Sequence, residues 1–187
     1  MQYTGLFESA VRMTEELGLK LVMPKQFFCS EEISSEKLHA MVSAFVPFFK
    51  SNGYFSSKDL NKNCVQVHIA AQNLFKEMFG IDSYLTIGSM HGDGFDYCAI
   101  SYEEIKSEIK KPNLAQELRA HIWLTLSDGS IFDWTGLAWY LENCGITAPL
   151  EECAMHIPLN TTMKELRYKP FLIGKDYLVV TGTIRDY

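Results

Sequence analysis

The sequence predicts an α+β fold, and three observations carry that reading. Apolar residues recur at helical spacing over residues 3–17, again over 34–49, and again from Cys64 to Phe79. The stretch from Ile81 to Ile87 alternates as a strand does, and residues 121–135 read as two strands joined near Asp128-Gly129. With 187 residues, 47% of them hydrophobic and 21% charged, the chain has the size of one domain that buries about 70% of its unfolded surface. A single domain over residues 1–187 is expected, with a helical layer over 1–53 and a core over 54–187.

Taken in chain order, Leu6, Phe7, Ala10, Val11 and Leu17 form one helical stripe. A second, opening at Ser34-Ser35-Glu36, holds Leu38, Met41, Val42, Phe45 and Phe49. Pro47 is expected to kink or end that helix near its last turn, because it lacks the backbone donor a helix interior uses. Asn52-Gly53 then closes it. After the polar stretch 54–63, Asn63 is a suitable N-cap for a helix from Cys64 to Phe79, which Gly80 stops. Val67, Ala71, Leu74, Phe75 and Met78 share a face with Cys64, so that face is expected to pack inward. The glycines of Gly88-Ser89-Met90-His91-Gly92-Asp93-Gly94 predict a flexible loop, with His91 solvated in it. A charged helix over 102–111 ends at Pro112, the apolar run Leu137–Leu141 with Trp139 and Tyr140 reads as core, and 171–173 and 177–184 read as strands.

Composition excludes several function classes. The 17 basic and 23 acidic residues give a net charge of −6, the wrong sign for counterion-release binding to a phosphate backbone, so nucleic acid is not an expected partner. No window reaches the ~20 apolar residues of a membrane span. Met1-Gln2-Tyr3-Thr4 has no basic segment followed by an apolar run, so the expected location is cytoplasmic, or outside after export without a cleavable signal peptide. The five cysteines, Cys29, Cys64, Cys98, Cys144 and Cys153, form no C-x-x-C pair and look like reduced thiols. Apart from Cys64 they are expected to pack as small hydrophobes. No metal ligand set or cofactor motif is evident.

The register of the 121–135 hairpin decides its chemistry. A two-residue turn at Asp128-Gly129 would pair Leu124 with Asp133 and put a carboxylate on the apolar face. A three-residue loop, Ser127-Asp128-Gly129, pairs Trp123 with Asp133 and Leu124 with Phe132 instead, with Gly129 supplying a left-handed residue. One face then collects Ile122, Leu124, Leu126, Phe132 and Trp134, while His121, Trp123, Asp133 and Thr135 share the other. His121 and Asp133 become diagonal neighbours with Cβ atoms roughly 7 Å apart, which an imidazole and a carboxylate can bridge. Upstream, Cys64 opens a predicted helix, where first-turn amides and the helix dipole favour a thiolate. His68, four residues after Cys64 on the same helix, is a rival partner, but it lacks an obvious acid and reads as core or cleft lining.

These residues resemble the transglutaminase-like superfamily within the papain-like fold. The resemblance runs from Cys64 through Gly80-Ile81 and Gly88 to His121-Ile122-Trp123 and Asp133-Trp134-Thr135, in the family's order. It departs at Asn63, at Asp82-Ser83-Tyr84, at Trp134 and in the long insertion 89–119. It implies a core in which a central antiparallel sheet packs against the cysteine-bearing helix, with the N-terminal helices added. It also implies a catalytic triad without cofactor or metal: Cys64 attacks an amide or ester carbonyl, His121 moves the proton and Asp133 holds the imidazole tautomer. The Cys64 amide, with Asn61 or Asn63, is the candidate oxyanion site, and Trp123 a candidate cleft wall. The expected partner is a protein or peptide substrate, cleaved by a protease or deamidated at glutamine. A transamidase, acyltransferase or peptidoglycan amidase would use the same residues, and a catalytically silent interaction module of the same fold is the third class. Lack of a leader, acidity and the thiol layout also suit a bacterial effector delivered into another cell.

Overall fold

An α+β architecture of seven α-helices and six antiparallel strands is seen in a computed structural model, which describes residues 2–21, 28, 31–92, 94–112, 118–161 and 166–185. In chain order these are α1 (Tyr3–Glu16), α2 (Ser35–Ser51), α3 (Ser57–Leu60), α4 (Cys64–Phe79), β1 (Ser83–Gly92), β2 (Phe95–Tyr97), α5 (Tyr102–Lys110), β3 (His121–Leu126), β4 (Ile131–Asp133), α6 (Gly136–Asn143), a 3-10 turn at Leu150–Glu152, β5 (Met155–Ile157), β6 (Leu166–Ile173) and α7 (Asp176–Val180). No described helix is long and apolar enough to cross a membrane. The chain divides into two compact units, one of residues 1–25, 85–122 and 162–187, the other of 26–84 and 123–161.

In the first unit β1 lies between β2 and β6, with His91 opposite Asp96 on one side and Arg167 on the other. The glycine loop expected at 88–94 is therefore wrong: Gly88 to Gly92 complete β1. Hydrogen-bonded neighbours on both edges outweigh the weak strand propensity of glycine. Gly92 has its own reason to lack a side chain, since a Cβ there would collide with the Phe95 ring. Packed along β6, α1 is fastened by buried Thr14, which donates to Ala10 O (2.8 Å) and accepts from Ile173 N (2.9 Å). The strand expected over 177–184 is also wrong. Gly174 (φ +89°) turns the chain out of β6, Asp176 accepts from Lys20 N (2.7 Å), and α7 buries Tyr177, whose hydroxyl donates to Glu108 on α5. The apolar Leu178-Val179-Val180 run suits a strand or a buried helix turn equally, and the turn at Gly174 selects the helix.

In the second unit β4 lies between β3 and β5. The core is aromatic: Phe45 meets Trp134 at 4.7 Å and Phe75 at 4.8 Å between ring centroids, and Phe75 meets Phe132 edge-on at 5.1 Å. These contacts pack α2 and α4 against β4, at about 0.5–1.5 kcal/mol per aromatic pair beyond the area buried. As expected, α2 closes at Asn52; Pro47, exposed and near that end, does not stop it. Met78, expected inside, is exposed in the last turn of α4. Gly80 in the left-handed region (φ +64°) ends α4, with Ile81 N donating back to Phe75 O (3.1 Å). The run 137–141 forms α6, with Ala138 buried but Tyr140 exposed, because a helix turns part of any apolar run outward. Cys144, expected to pack, is exposed after α6, whereas Cys153 is buried. Cys29 lies outside the described residues.

Candidate thiol site

The hairpin adopts the three-residue loop. Leu124 pairs with Phe132 and Thr125 with Ile131, Leu126 N donates to Ser130 O (2.8 Å), and Gly129 holds φ +85°. Asp128 locks the loop: one carboxylate oxygen accepts from Ser130 N (2.9 Å) and Oγ (2.6 Å), the other from Ile33 N (3.0 Å). Both faces of β3 and β4 are buried, so the expected polar face is as closed as the apolar one, and Trp123 is fully enclosed.

Cys64 is the first residue of α4, at 6% exposure. Asn63 occupies the N-cap position but does not cap. Its amide instead donates to Asp59 O (2.8 Å) and, at longer range, to Asn61 O (3.4 Å). The first turn of α4 therefore has no capping side chain, and no acidic residue either. Asn61 has its amide oxygen buried without a hydrogen-bond partner.

One turn into α4, His68 is fully buried and held from both ends. Its Nδ1 lies 2.8 Å from Cys64 O, and Trp134 N donates to its Nε2 at 3.1 Å. A carbonyl only accepts, so Nδ1 carries the proton, and Nε2 is the acceptor that the Trp134 amide requires. The Asp133 carboxylate lies 3.3 Å from His68 Nε2, with both side chains at 0% exposure. The expectation that His68 has no acid nearby is thus overturned. Its protons and lone pairs nonetheless serve backbone groups, which is the behaviour of a structural histidine.

Asp133 does a second job. Its Oδ1 accepts from Thr135 N (2.8 Å) and Gly136 N (3.0 Å), with the Thr135 hydroxyl at 3.3 Å. Together with Trp134 N on His68, three consecutive backbone amides at the start of α6 find side-chain acceptors, satisfying donors that the helix leaves unpaired. The signal was present in the sequence: Asp133, two residues before the Thr135-Gly136 start of an apolar run, is a helix-start pattern.

His121, the first residue of β3, belongs to the first unit, while Cys64, His68, Trp123 and Asp133 belong to the second. It is fully buried, with its ring centroid 4.9 Å from that of Tyr97 and 6.3 Å from that of Tyr168. Among the described residues no group of three or more His, Cys, Asp or Glu converges as a metal site would require. Compared with known proteins, the chain matches no family model, no curated protein and no solved structure.

Proposed function

We propose that the chain is a thiol acyl-transfer enzyme of the transglutaminase-like kind, with Cys64 as nucleophile, His121 as base and Asp133 as the acid that orients it. The observation that carries this reading is the position of Cys64, first in a 16-residue helix whose opening turn has neither a capping side chain nor an acidic residue. A first turn that its N-cap side chain leaves uncapped and that holds no acidic residue keeps the positive end of the helix dipole at Cys64, which favours a thiolate there. The hairpin register supports it, because a three-residue loop is the arrangement on which strand alternation gives His121 and Asp133 a common face. The Cys64 thiolate would form a thioester with an amide carbonyl while His121 protonates the leaving amine, and water would release the acid, as a protease or glutamine deamidase requires. An amine acceptor in place of water would make the same site a transamidase. A protein or peptide is the proposed substrate.

A second reading, a silent module of the same fold, draws on the 6% exposure of Cys64. One measurement separates the two: iodoacetamide labelling of Cys64 against pH, read by peptide mass, in wild type and His121→Ala. An enzyme gives labelling well below the ~8.5 pKa of a free thiol, with a low-pH limb that disappears in His121→Ala. An unreactive Cys64, or a profile that ignores His121, leaves the silent module.

A further inference from the structure

On the first unit, the sheet carries a second constellation that is independent of Cys64. Ser89 Oγ lies 2.7 Å from His91 Nε2, and His91 Nδ1 lies 2.7 Å from Asp96 Oδ1. An ionised carboxylate only accepts, so Nδ1 holds the proton and the Nε2 lone pair is left for the Ser89 hydroxyl. This is the tautomer and order of contacts that a serine nucleophile needs. Backbone geometry produces it: Ser89 and His91 are two apart on β1 and share a face, and Asp96 is the direct partner of His91 on β2. Met90, on the opposite face, pairs with the buried Tyr97 and Tyr168. His91 and Asp96 on the Ser89 face reach the surface, while Ser89 itself is buried.

That face is cationic. Lys169 is directly opposite Ser89 and Arg167 directly opposite His91 on β6, both exposed. The exposure gradient runs from Asp96 at 64% through His91 at 34% to Ser89 at 1%. Ser89 is thus the buried end of the row, with Lys169 as its cross-strand neighbour, and a substrate reaches it by displacement of the flexible Lys169 side chain.

We propose that Ser89, His91 and Asp96 form a serine acyl-transfer site for small esters bearing a negative charge, with Arg167 and Lys169 holding the charged end. Ser89 Oγ bonds to the ester carbonyl carbon as its proton passes to His91 Nε2. The tetrahedral adduct then collapses with loss of the alkoxide, which takes that proton and leaves as the alcohol. Water repeats the sequence on the acyl-serine, and the free acid departs with the hydroxyl restored.

The test treats the full chain with a fluorophosphonate, which modifies activated serines, and locates the adduct by peptide mass. Ser89 should carry the phosphonyl group, with its rate lowered about tenfold or more in His91→Ala and in Asp96→Asn. A p-nitrophenyl ester with a terminal carboxylate should be hydrolysed with a KM raised about fivefold by Arg167→Ala, a larger rise than the matching neutral ester shows. A folded protein with no adduct at Ser89, or equal rates in wild type, His91→Ala and Asp96→Asn, overturns the site. Asp96 is mostly exposed, so misfolding does not account for a lowered rate in its variant. Equal effects of Arg167→Ala on the two esters overturn the substrate class. Iodoacetamide labelling of Cys64 is scored separately, so failure of either site is distinguishable from failure of the other.

Discussion

Two histidine–aspartate pairs, one in each unit, use the same side chains in opposite ways. His68 and Asp133 are fully enclosed: the ring nitrogens of His68 meet a carbonyl of α4 and an amide before α6, and Asp133 Oδ1 accepts from the next two amides. His91 and Asp96 are partly exposed and serve another side chain, the Ser89 hydroxyl. Proximity of an imidazole to a carboxylate therefore says little about chemistry. What the second nitrogen and the second set of lone pairs bind decides whether the pair is a strut or a proton carrier.

The sharpest way to break this comparison is to remove each acid. Asp133→Ala should cost about 3 kcal/mol or more in a urea melt, because it strands two buried amides and a hydroxyl. A cost below about 1 kcal/mol would mean that solvent reaches this pair and that the strut reading is wrong. Next in size, Gly129→Ala should destabilise by about 1–3 kcal/mol. It forces a side chain into the left-handed region, with its Cβ 2.9 Å from the Phe28 ring and 3.0 Å from Leu159. A neutral result would show that the hairpin register does not depend on this loop. For the outward pair, Asp96→Ala should change stability by less than about 1 kcal/mol, as exposed ion pairs do. A melt shifted as far as that of Asp133→Ala would erase the distinction between the two pairs.

The smallest effect extends the comparison to thiols. Burial, aided by Glu152, Glu142 and Glu151, pushes the Cys153 thiol up to about 11 from its ordinary 9.0. Between those values the folded chain keeps a proton that the unfolded chain releases, so the contribution of Cys153 to stability falls as pH rises through that window. At pH 9 alkylation should mark exposed Cys144 quickly and Cys153 slowly, measured by peptide mass. Equal rates would show that Cys153 is reached by solvent.

Much of the second unit was legible in the chain. Periodicity located α4, Gly80 marked its end, and the alternation of apolar residues selected the three-residue loop, since the other register would have set Asp133 on the apolar face. The first unit was harder to read. Glycines at 88 and 92 signal a loop only where nothing pairs with them, and here β2 and β6 do, while Gly94 turns the chain between β1 and β2. The run after Gly174 likewise had no periodicity long enough to separate strand from helix.

By itself, then, the sequence determined the secondary-structure class, the opening of α4 at Cys64 and the register that pairs Leu124 with Phe132, because these follow from local spacing and one turn. Only the tertiary structure decided what each polar group binds. It set the amides leading into α6 on one oxygen of Asp133, turned Asn63 away from the helix it precedes, and joined Ser89 to Asp96 through His91. Such pairings depend on which strands and helix ends meet, and neighbours in the chain do not specify that.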